Sequence, residues 1–358
     1  MKRTHFALAC ASALLLSSCF NKNGDGPSRP SIPPRSLLAG KVEMRTTTLL
    51  DASGKAASRV EETFGKQGER LRRDSSELNG TTPTLRFSKV YNRNETGYLT
   101  SIATHRITTA GEEKREEAFT YKPYGEGVRL LTVQTLYDGA KNKLSETTYT
   151  YLGLRPESSI TTTYPNASPG QTTTQVVYTQ YRQEGVFEVA RSYERVKGAN
   201  PKDPDRPRYL QEEWVRRDLY GRPIQREVIY FDTSVDPEKQ DLNKPTRLEL
   251  QIWRYTAYGD EEVYSLSTYT PRKDANPSKP SGKSLSTEGD IEAVSTTPQS
   301  KSYLELSDLL IYEYRYTTPD KNGFPTHCEV TETKGLKKLK STTSRTIAYR
   351  LFPEDKGK

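Results

Sequence analysis

The residues whose side chains could carry chemistry are few, and their spacing matches no common enzyme site. The histidines and cysteines are His5, Cys10, Cys19, His105, His327 and Cys328. The sequence has no Gly-x-Ser-x-Gly turn, no His-Glu-x-x-His motif, no Gly-x-x-x-x-Gly-Lys loop and no Rossmann glycine fingerprint. His327 and Cys328 are adjacent, and adjacent side chains of a strand point to opposite faces. We therefore predict a protein that is not an enzyme, with no catalytic residue, no metal and no cofactor.

The first eighteen residues have the three parts of a secretory leader. Lys2 and Arg3 precede an apolar stretch over residues 6–16, and the small residues Ser17 and Ser18 follow it. The apolar stretch is shorter than the roughly 20 residues that a transmembrane helix needs. Residues 1–18 are therefore predicted to be a signal peptide that is removed.

The end of this leader resembles a known processing signal. The tetrad Leu16-Ser17-Ser18-Cys19 is similar to the lipobox of bacterial lipoproteins. The resemblance implies that the thiol of Cys19 receives a diacylglyceryl group and that the new α-amine is acylated, for example with palmitate, after cleavage behind Ser18. Several acyl chains on one residue hold a protein stably on a membrane, because each buried CH₂ contributes about 0.8 kcal/mol. Phe20 replaces the aspartate that retains such lipoproteins in the inner membrane, which favours the outer membrane and leaves open which side the protein faces.

Two segments have the composition of disordered chain. Residues 19–40 contain four prolines among serines and arginines, and we predict a lipidated, disordered tether there. Residues 271–302 are rich in Pro, Ser, Lys and Thr with few apolar residues, and we predict a disordered insertion. The folded body is expected between and after these segments.

The rest of the chain repeats an aromatic-rich alternating run, a turn that contains glycine and a second alternating run. Turn glycines recur at Gly97, Gly125, Gly153, Gly185, Gly221 and Gly259, and a strand, a turn and a return strand fill such a period. We predict an opening β-hairpin region over 41–86, hairpin repeats over 87–270, and a C-terminal hairpin and strand over 303–350. The expected fold is an all-β antiparallel meander of about seven stacked β-hairpins that form a long twisted sheet, either open or curled into a half-barrel.

Two of these units resemble a known repeat. Leu136-Tyr137-Asp138-Gly139 and Tyr220-Gly221-Arg222-Pro223-Ile224 are similar to the tyrosine-aspartate (YD/RHS-like) repeats of bacterial shell and surface proteins. The resemblance implies hairpins stacked on one another. It extends over roughly residues 87–330.

Tyrosines beside the turns are the remaining candidates for a binding site. These residues are Tyr124, Tyr151, Tyr181, Tyr220, Tyr258 and Tyr316. In one interpretation their rings fill the space between neighbouring hairpins, as cross-strand aromatic pairs do. In the other they form an exposed ladder that binds glycan or peptide.

Charge and composition favour a solvated binding surface. The net charge is +8, but Lys and Arg are interspersed with Asp and Glu, so no nucleic acid is expected as a partner. Our first hypothesis is a lipid-anchored, non-enzymatic envelope lipoprotein that binds or scaffolds an unidentified envelope protein or glycan. The alternatives are a lipid carrier with a curved half-barrel sheet and a polysaccharide-active enzyme with two carboxylates from distant strands.

Overall fold

The computed structural model describes residues 41–353, except 52, 67, 126–127, 166–171, 198–203, 220, 257–259 and 272–303. The described part is almost entirely β-structure. The first nine strands are β1 (Val42–Leu50), β2 (Ala56–Phe64), β3 (Arg70–Asn79), β4 (Thr82–Arg93), β5 (Leu99–Thr108), β6 (Gly111–Pro123), β7 (Arg129–Asp138), β8 (Lys143–Leu152) and β9 (Arg155–Thr163). The second nine are β10 (Gln175–Glu184), β11 (Phe187–Val196), β12 (Arg206–Arg217), β13 (Pro223–Tyr230), β14 (Arg247–Tyr255), β15 (Glu261–Pro271), β16 (Leu304–Pro319), β17 (Pro325–Lys334) and β18 (Leu339–Leu351). A short 3-10 helix, Pro237–Lys239, lies between β13 and β14.

These strands form one closed barrel. Every strand pairs antiparallel with the next strand in the chain, and β1 also pairs with β18. The closing register places Thr47 opposite Ile347 and Arg45 opposite Tyr349. Closure removes the two free sheet edges that an open meander would expose.

The predicted all-β antiparallel meander is confirmed, but the predicted open twisted sheet of about seven hairpins is wrong. The described residues form a closed barrel of 18 strands. Residues 41–86 alone supply β1, β2, β3 and the start of β4, which form more than the single opening hairpin expected there. The alternation of side chains indicates a strand from a few neighbouring residues. The pairing of β1 with β18 joins residues about 300 positions apart, so no local pattern in the sequence predicts it.

Strand registers divide the side chains into a lumen-facing set and an outward-facing set. Arg45 of β1 pairs with Asp260, which precedes β15, although β16, β17 and β18 lie between these two strands. Four strand spacings correspond to roughly 19 Å, so the two side chains can meet only on the concave side of the wall. Arg45 and the residues in register with it, such as Glu62 and Tyr349, therefore face the lumen.

The two ends of the barrel differ. One end, the terminal rim, contains the start of β1, the end of β18 and eight short connections, such as residues 94–98 between β4 and β5. The opposite end, the loop rim, contains the long connection 231–246, short turns, and the strand ends that flank residues 164–174, 197–205 and 272–303. Both chain ends of the barrel thus lie at the rim of short turns.

Several turns use the same side-chain device. Asp51, Asn94, Asp138 and Asp320 each accept backbone N–H bonds from the second and fourth following residues, at 2.8–3.1 Å. Gly97 and Gly323 in two of these turns have φ of 84° and 83°, a conformation that only glycine adopts without strain. Short Asx turns of this kind explain why aspartate and glycine recur at the ends of alternating runs.

The barrel wall is buried unevenly. In β12 and β13, five consecutive residues are buried, Gln211–Val215 and Gln225–Ile229, so both faces of these strands are covered. An apolar cluster lies on the outward face of β11–β15 and includes Phe187, Trp214, Leu250 and Tyr269. We name this region the β11–β15 wall.

Strands β2–β9 form the contrasting β2–β9 wall. Its lumen-facing positions include the buried residues Glu117, Thr147 and Tyr149. Its outward positions include exposed Thr148 and Ile160 and the half-exposed Arg72. Among the described residues, no helix has the length and apolar character required to cross a membrane.

Candidate functional site: the lumen and the wall surfaces

A cluster of charges occupies the lumen next to the terminal rim. The Arg45 guanidinium donates to Glu62 Oε2 from Nε at 3.0 Å and from Nη2 at 2.6 Å, and it also pairs with Asp260. Arg70 at the start of β3 contacts the second oxygen of Glu62 at 2.9 Å. One arginine therefore links β1, β2 and the turn before β15 through the lumen.

Burial and neighbouring charge set the protonation of this cluster. Burial alone would raise the pKa of Glu62, but Arg45 and Arg70 outweigh it and lower that pKa. Burial alone would lower the pKa of Arg45, but Asp260 and Glu62 hold it above its ordinary value. Burial raises the pKa of the neighbouring Glu261 carboxyl. The ion pair of Arg45 with Glu62 is thus fully charged at neutral pH.

A second set of lumen-facing charges lies in β11–β14. Arg226 donates from Nε to Glu213 at 2.6 Å and from Nη1 to Gln251 at 3.2 Å, and its side chain is only 6% exposed. Arg217 donates from Nε to Glu188 at 3.0 Å. Charges this deeply buried are tolerated because each has an opposite charge in hydrogen-bond contact.

The structure places the tyrosines of the predicted ladder in different settings. Tyr151, Tyr181 and Tyr316 face the lumen, and their hydroxyls bond Leu131 O at 2.6 Å, Ser159 Oγ at 2.9 Å and Glu261 O at 3.0 Å. Tyr124 lies in the β6–β7 turn and is exposed. Tyr220 and Tyr258 are outside the described residues. The glycan-binding or peptide-binding role of this set stays a prediction.

A row of aromatic rings runs across the outward face of β10–β12. This row was not predicted from the sequence. Tyr178 and Tyr193 stack with ring centroids 5.6 Å apart, and Tyr193 and Tyr209 lie 5.9 Å apart. Arg195 lies over Tyr178 at 4.5 Å and Arg191 lies over Tyr209 at 5.6 Å. Each tyrosine occupies an outward position of its own strand. The row can therefore be recognised only when the register between the strands is known.

The thiol and imidazole candidates do not form a reactive site. Cys328 is buried on the lumen face beside Tyr316, and burial raises the pKa of its thiol to about 11. His327 occupies the next position of the strand, opposite Thr346, and therefore faces outward. Within the described ranges, no group of three or more His, Cys, Asp or Glu side chains could hold a metal ion.

The lipidation site lies outside the described residues, as do residues 1–40 as a whole and most of 271–302. Lipidation of Cys19, the signal peptide, the tether and the insertion therefore remain predictions. The described part provides polar surfaces, aromatic rings and buried ion pairs.

Comparison with known proteins gives little further information. No protein-family model matches the chain, and no curated protein matches it. Among solved structures, the chain is similar to a porin-like protein from Bacteroides uniformis ATCC 8492, with 13% identity and a TM-score of 0.28 over 87% of this chain and 98% of that chain. It is also similar to a porin-like protein from Bacteroides vulgatus ATCC 8482, with 12% identity and a TM-score of 0.20 over 86% and 98%. TM-scores this low do not establish a shared fold, so the closed barrel rests on the strand pairing of this chain.

Proposed function

We propose that this protein is a lipid-anchored, non-enzymatic lipoprotein of the outer membrane. Its barrel lies in water beside the membrane and presents the loop rim and the outward wall as a binding or scaffolding surface. The observation that carries the proposal is the distribution of charge on the outward face of the barrel.

Outward-facing charges are spread along the β2–β9 wall. Arg59 and Glu61 of β2 and Arg72 and Asp74 of β3 occupy outward positions, as Glu146 of β8 does farther around the wall. An arginine or lysine on the lipid face of a membrane barrel costs about 2–4 kcal/mol at the bilayer midplane. A wall with several such residues favours a barrel that stays in water.

The positions of the two rims orient the protein. The chain enters β1 at the terminal rim, so a lipid on Cys19 would attach the protein from that side. The long connection 231–246 then lies at the rim farther from the lipid, as do the ends of β15 and β16 that flank residues 272–303. Surface connections of this length commonly carry binding functions, which makes the loop rim the best surface for an envelope protein or glycan.

The lumen supports the carrier alternative less well. A lipid carrier needs a continuous apolar inner surface, whereas Arg45, Glu62, Glu213 and Arg226 are lumen-facing and charged. An acyl chain packed against these groups would meet charged side chains instead of the apolar surface that it needs. The polysaccharide-active alternative gains no specific support from the described carboxylates.

The test separates anchoring from insertion of the barrel. Wild type is compared with residues 20–358 exported behind a leader that is cleaved without lipidation, and with Cys19→Ser, which blocks lipidation. We expect wild type in the membrane fraction after carbonate washing, and the unlipidated barrel soluble without detergent with a β-sheet circular dichroism spectrum. An unlipidated barrel that resists carbonate extraction and requires detergent would overturn the proposal.

Proteinase treatment of intact cells completes the test. With antibody against residues 271–302, digestion on unbroken cells would place the loop rim outside and favour glycan or host partners. Protection until the outer membrane is opened would place the loop rim in the periplasm and favour envelope-assembly partners. Protection in opened cells as well would contradict an accessible loop rim.

A further inference from the structure

Large apolar side chains that are exposed gather at the terminal rim. Among the described residues this rim contains Leu71, Tyr124, Leu152, Val186, Leu219 and Leu351. Leu152 and Leu219 are 74% and 84% exposed, although each lies at a tight turn. Turn positions usually hold Gly, Pro, Asn, Asp or Ser, so apolar residues at four separate turns need an explanation.

The tips lie on successive hairpins. Tyr124, Val186 and Leu219 belong to the connections after β6, β10 and β12, and Leu152 is the last residue of β8. These four turns follow one another along one arc of the rim. Single exposed apolar residues need no explanation, but a row on one end of a protein marks a contact surface. A row of tips on four successive hairpins of one rim fits an extended apolar partner better than a small ligand.

Exposed cations lie next to two of these four tips. Lys122 precedes Tyr124, and Arg155 follows Leu152 by three residues, and both cations are exposed. Basic residues beside apolar tips are attracted to the anionic headgroups of a membrane surface, while the tips enter the boundary between headgroups and acyl chains. The chemistry of the row therefore matches a lipid surface.

The entry point of the chain gives an independent argument for the same partner. The barrel starts at the terminal rim with Lys41 and Val42, and the predicted lipid site is Cys19. The intervening residues reach at most about 75 Å when fully extended. A tether of this length keeps the rim at high local concentration next to the membrane, so weak contacts by the tips become effective.

From these observations we infer that the terminal rim is a peripheral membrane-contact surface. The tips Tyr124, Leu152, Val186 and Leu219 touch the lipid, and the loop rim faces away from it. This inference rests on the proposed lipid anchor, but it concerns the orientation of the barrel. It makes the lipoprotein a barrel seated on the membrane rather than one that tumbles freely on its tether.

The first experiment measures depth in the complete lipidated protein. Leu152→Cys and Leu219→Cys variants are labelled with an environment-sensitive fluorophore and placed in vesicles of phosphatidylethanolamine and phosphatidylglycerol that carry spin-labelled lipid. The matched controls are Leu336→Cys and Leu339→Cys, which are 57% and 69% exposed at the loop rim. Because Cys328 is buried, each variant has one accessible thiol. We expect strong quenching at positions 152 and 219 and little at 336 and 339.

The second experiment removes the anchor. The unlipidated chain is sedimented with the same vesicles, and Leu152→Asp/Leu219→Asp is compared with Leu336→Asp/Leu339→Asp. We expect at least tenfold weaker vesicle binding for the first pair, no change for the second and an unchanged circular dichroism spectrum for both.

The outcomes distinguish this inference from the proposed function. Equal quenching at both rims of an anchored protein would overturn the orientation and leave the anchor intact. Binding of the terminal rim to a protein partner but not to vesicles would also overturn it. Loss of membrane association of the wild type would instead contradict the anchor.

Discussion

The β11–β15 wall and the β2–β9 wall belong to one sheet, yet they are stabilised differently. In the β11–β15 wall, Leu250 and Trp214 join an outward apolar cluster, while Glu213 and Arg226 form a buried ion pair on the lumen side. In the β2–β9 wall, the outward residue Ile160 is 39% exposed, and ion pairs such as Arg72–Asp74 are accessible to water. A chain with only 32% hydrophobic residues thus places the largest of its described apolar clusters in one part of the barrel. Smaller clusters lie elsewhere, such as Val42 with Phe324 and Cys328 with Val330 and Ile347.

The largest expected difference between the walls comes from their ion pairs. Arg226→Met leaves the carboxylate of Glu213 buried without its cation and should lower the free energy of unfolding by about 3–5 kcal/mol. Arg72→Met removes an exposed partner of Asp74 and should cost less than about 1 kcal/mol. Urea unfolding followed by circular dichroism measures both values.

A compensating change sharpens this comparison. Glu213→Gln combined with Arg226→Met removes the buried charge and should recover much of the lost stability. Equal effects of the two arginine substitutions would show that the two walls do not differ in burial as described.

The apolar cluster should give a somewhat smaller difference. Leu250 and Ile160 both face outward, but Leu250 is 6% exposed. Leu250→Ala should cost about 2–5 kcal/mol because it leaves a cavity, whereas Ile160→Ala should cost about 1 kcal/mol. Thermal and urea unfolding of the two variants measure these effects, and a cost for Ile160→Ala as large as that for Leu250→Ala would contradict a thinner β2–β9 wall.

The smallest effect is an acid dependence in the cluster that joins the two walls across the lumen. Arg45 lowers the folded-state pKa of Glu62 below its unfolded value of 4.5, so the charged carboxylate contributes stability above that pH. This contribution is lost as the pH falls through the folded-state pKa. Glu62→Gln should therefore reduce stability at neutral pH and flatten the loss of stability on acidification.

Glu77→Gln is the matched control for this pH dependence. Glu77 pairs with Arg86 but is 62% exposed. Its replacement by glutamine should therefore leave the loss of stability on acidification unchanged. Unfolding midpoints measured from neutral to acidic pH compare the three proteins. If the unfolding midpoint of Glu62→Gln fell with decreasing pH as steeply as that of wild type, the cross-lumen cluster would not link protonation to folding.

The sequence predicted the elements better than their assembly. Alternation such as Tyr312, Tyr314, Tyr316 and turns with glycine or aspartate correctly indicated an antiparallel meander, because these signals lie within one hairpin. The number of hairpins was underestimated partly because β3, Arg70–Asn79, is rich in charge and lacks a clear apolar stripe. Its place in the sheet depends on its paired neighbours, which a single strand does not reveal.

The candidate surfaces likewise depend on contacts between strands that the sequence does not show. The row Tyr178, Tyr193 and Tyr209 and the ion pair of Arg45 with Asp260 join residues from different strands, so they could not be found from spacing alone. The arc of apolar tips at the terminal rim combines four turns. Of these tips, only Tyr124 was predicted from the sequence to lie beside a turn, and the common location of all four required the topology.

What the sequence determined by itself is local: the alternation of each strand and the turns that reverse the chain. What only the tertiary structure decided is closure through β1 and β18, burial of both faces of β12 and β13, and the position of both chain ends on one rim. The physical reason is the sequence separation over which each of these features is determined. Alternation and turn chemistry are set by the backbone geometry of a few neighbouring residues, whereas closure depends on the number, tilt and stagger of all strands together.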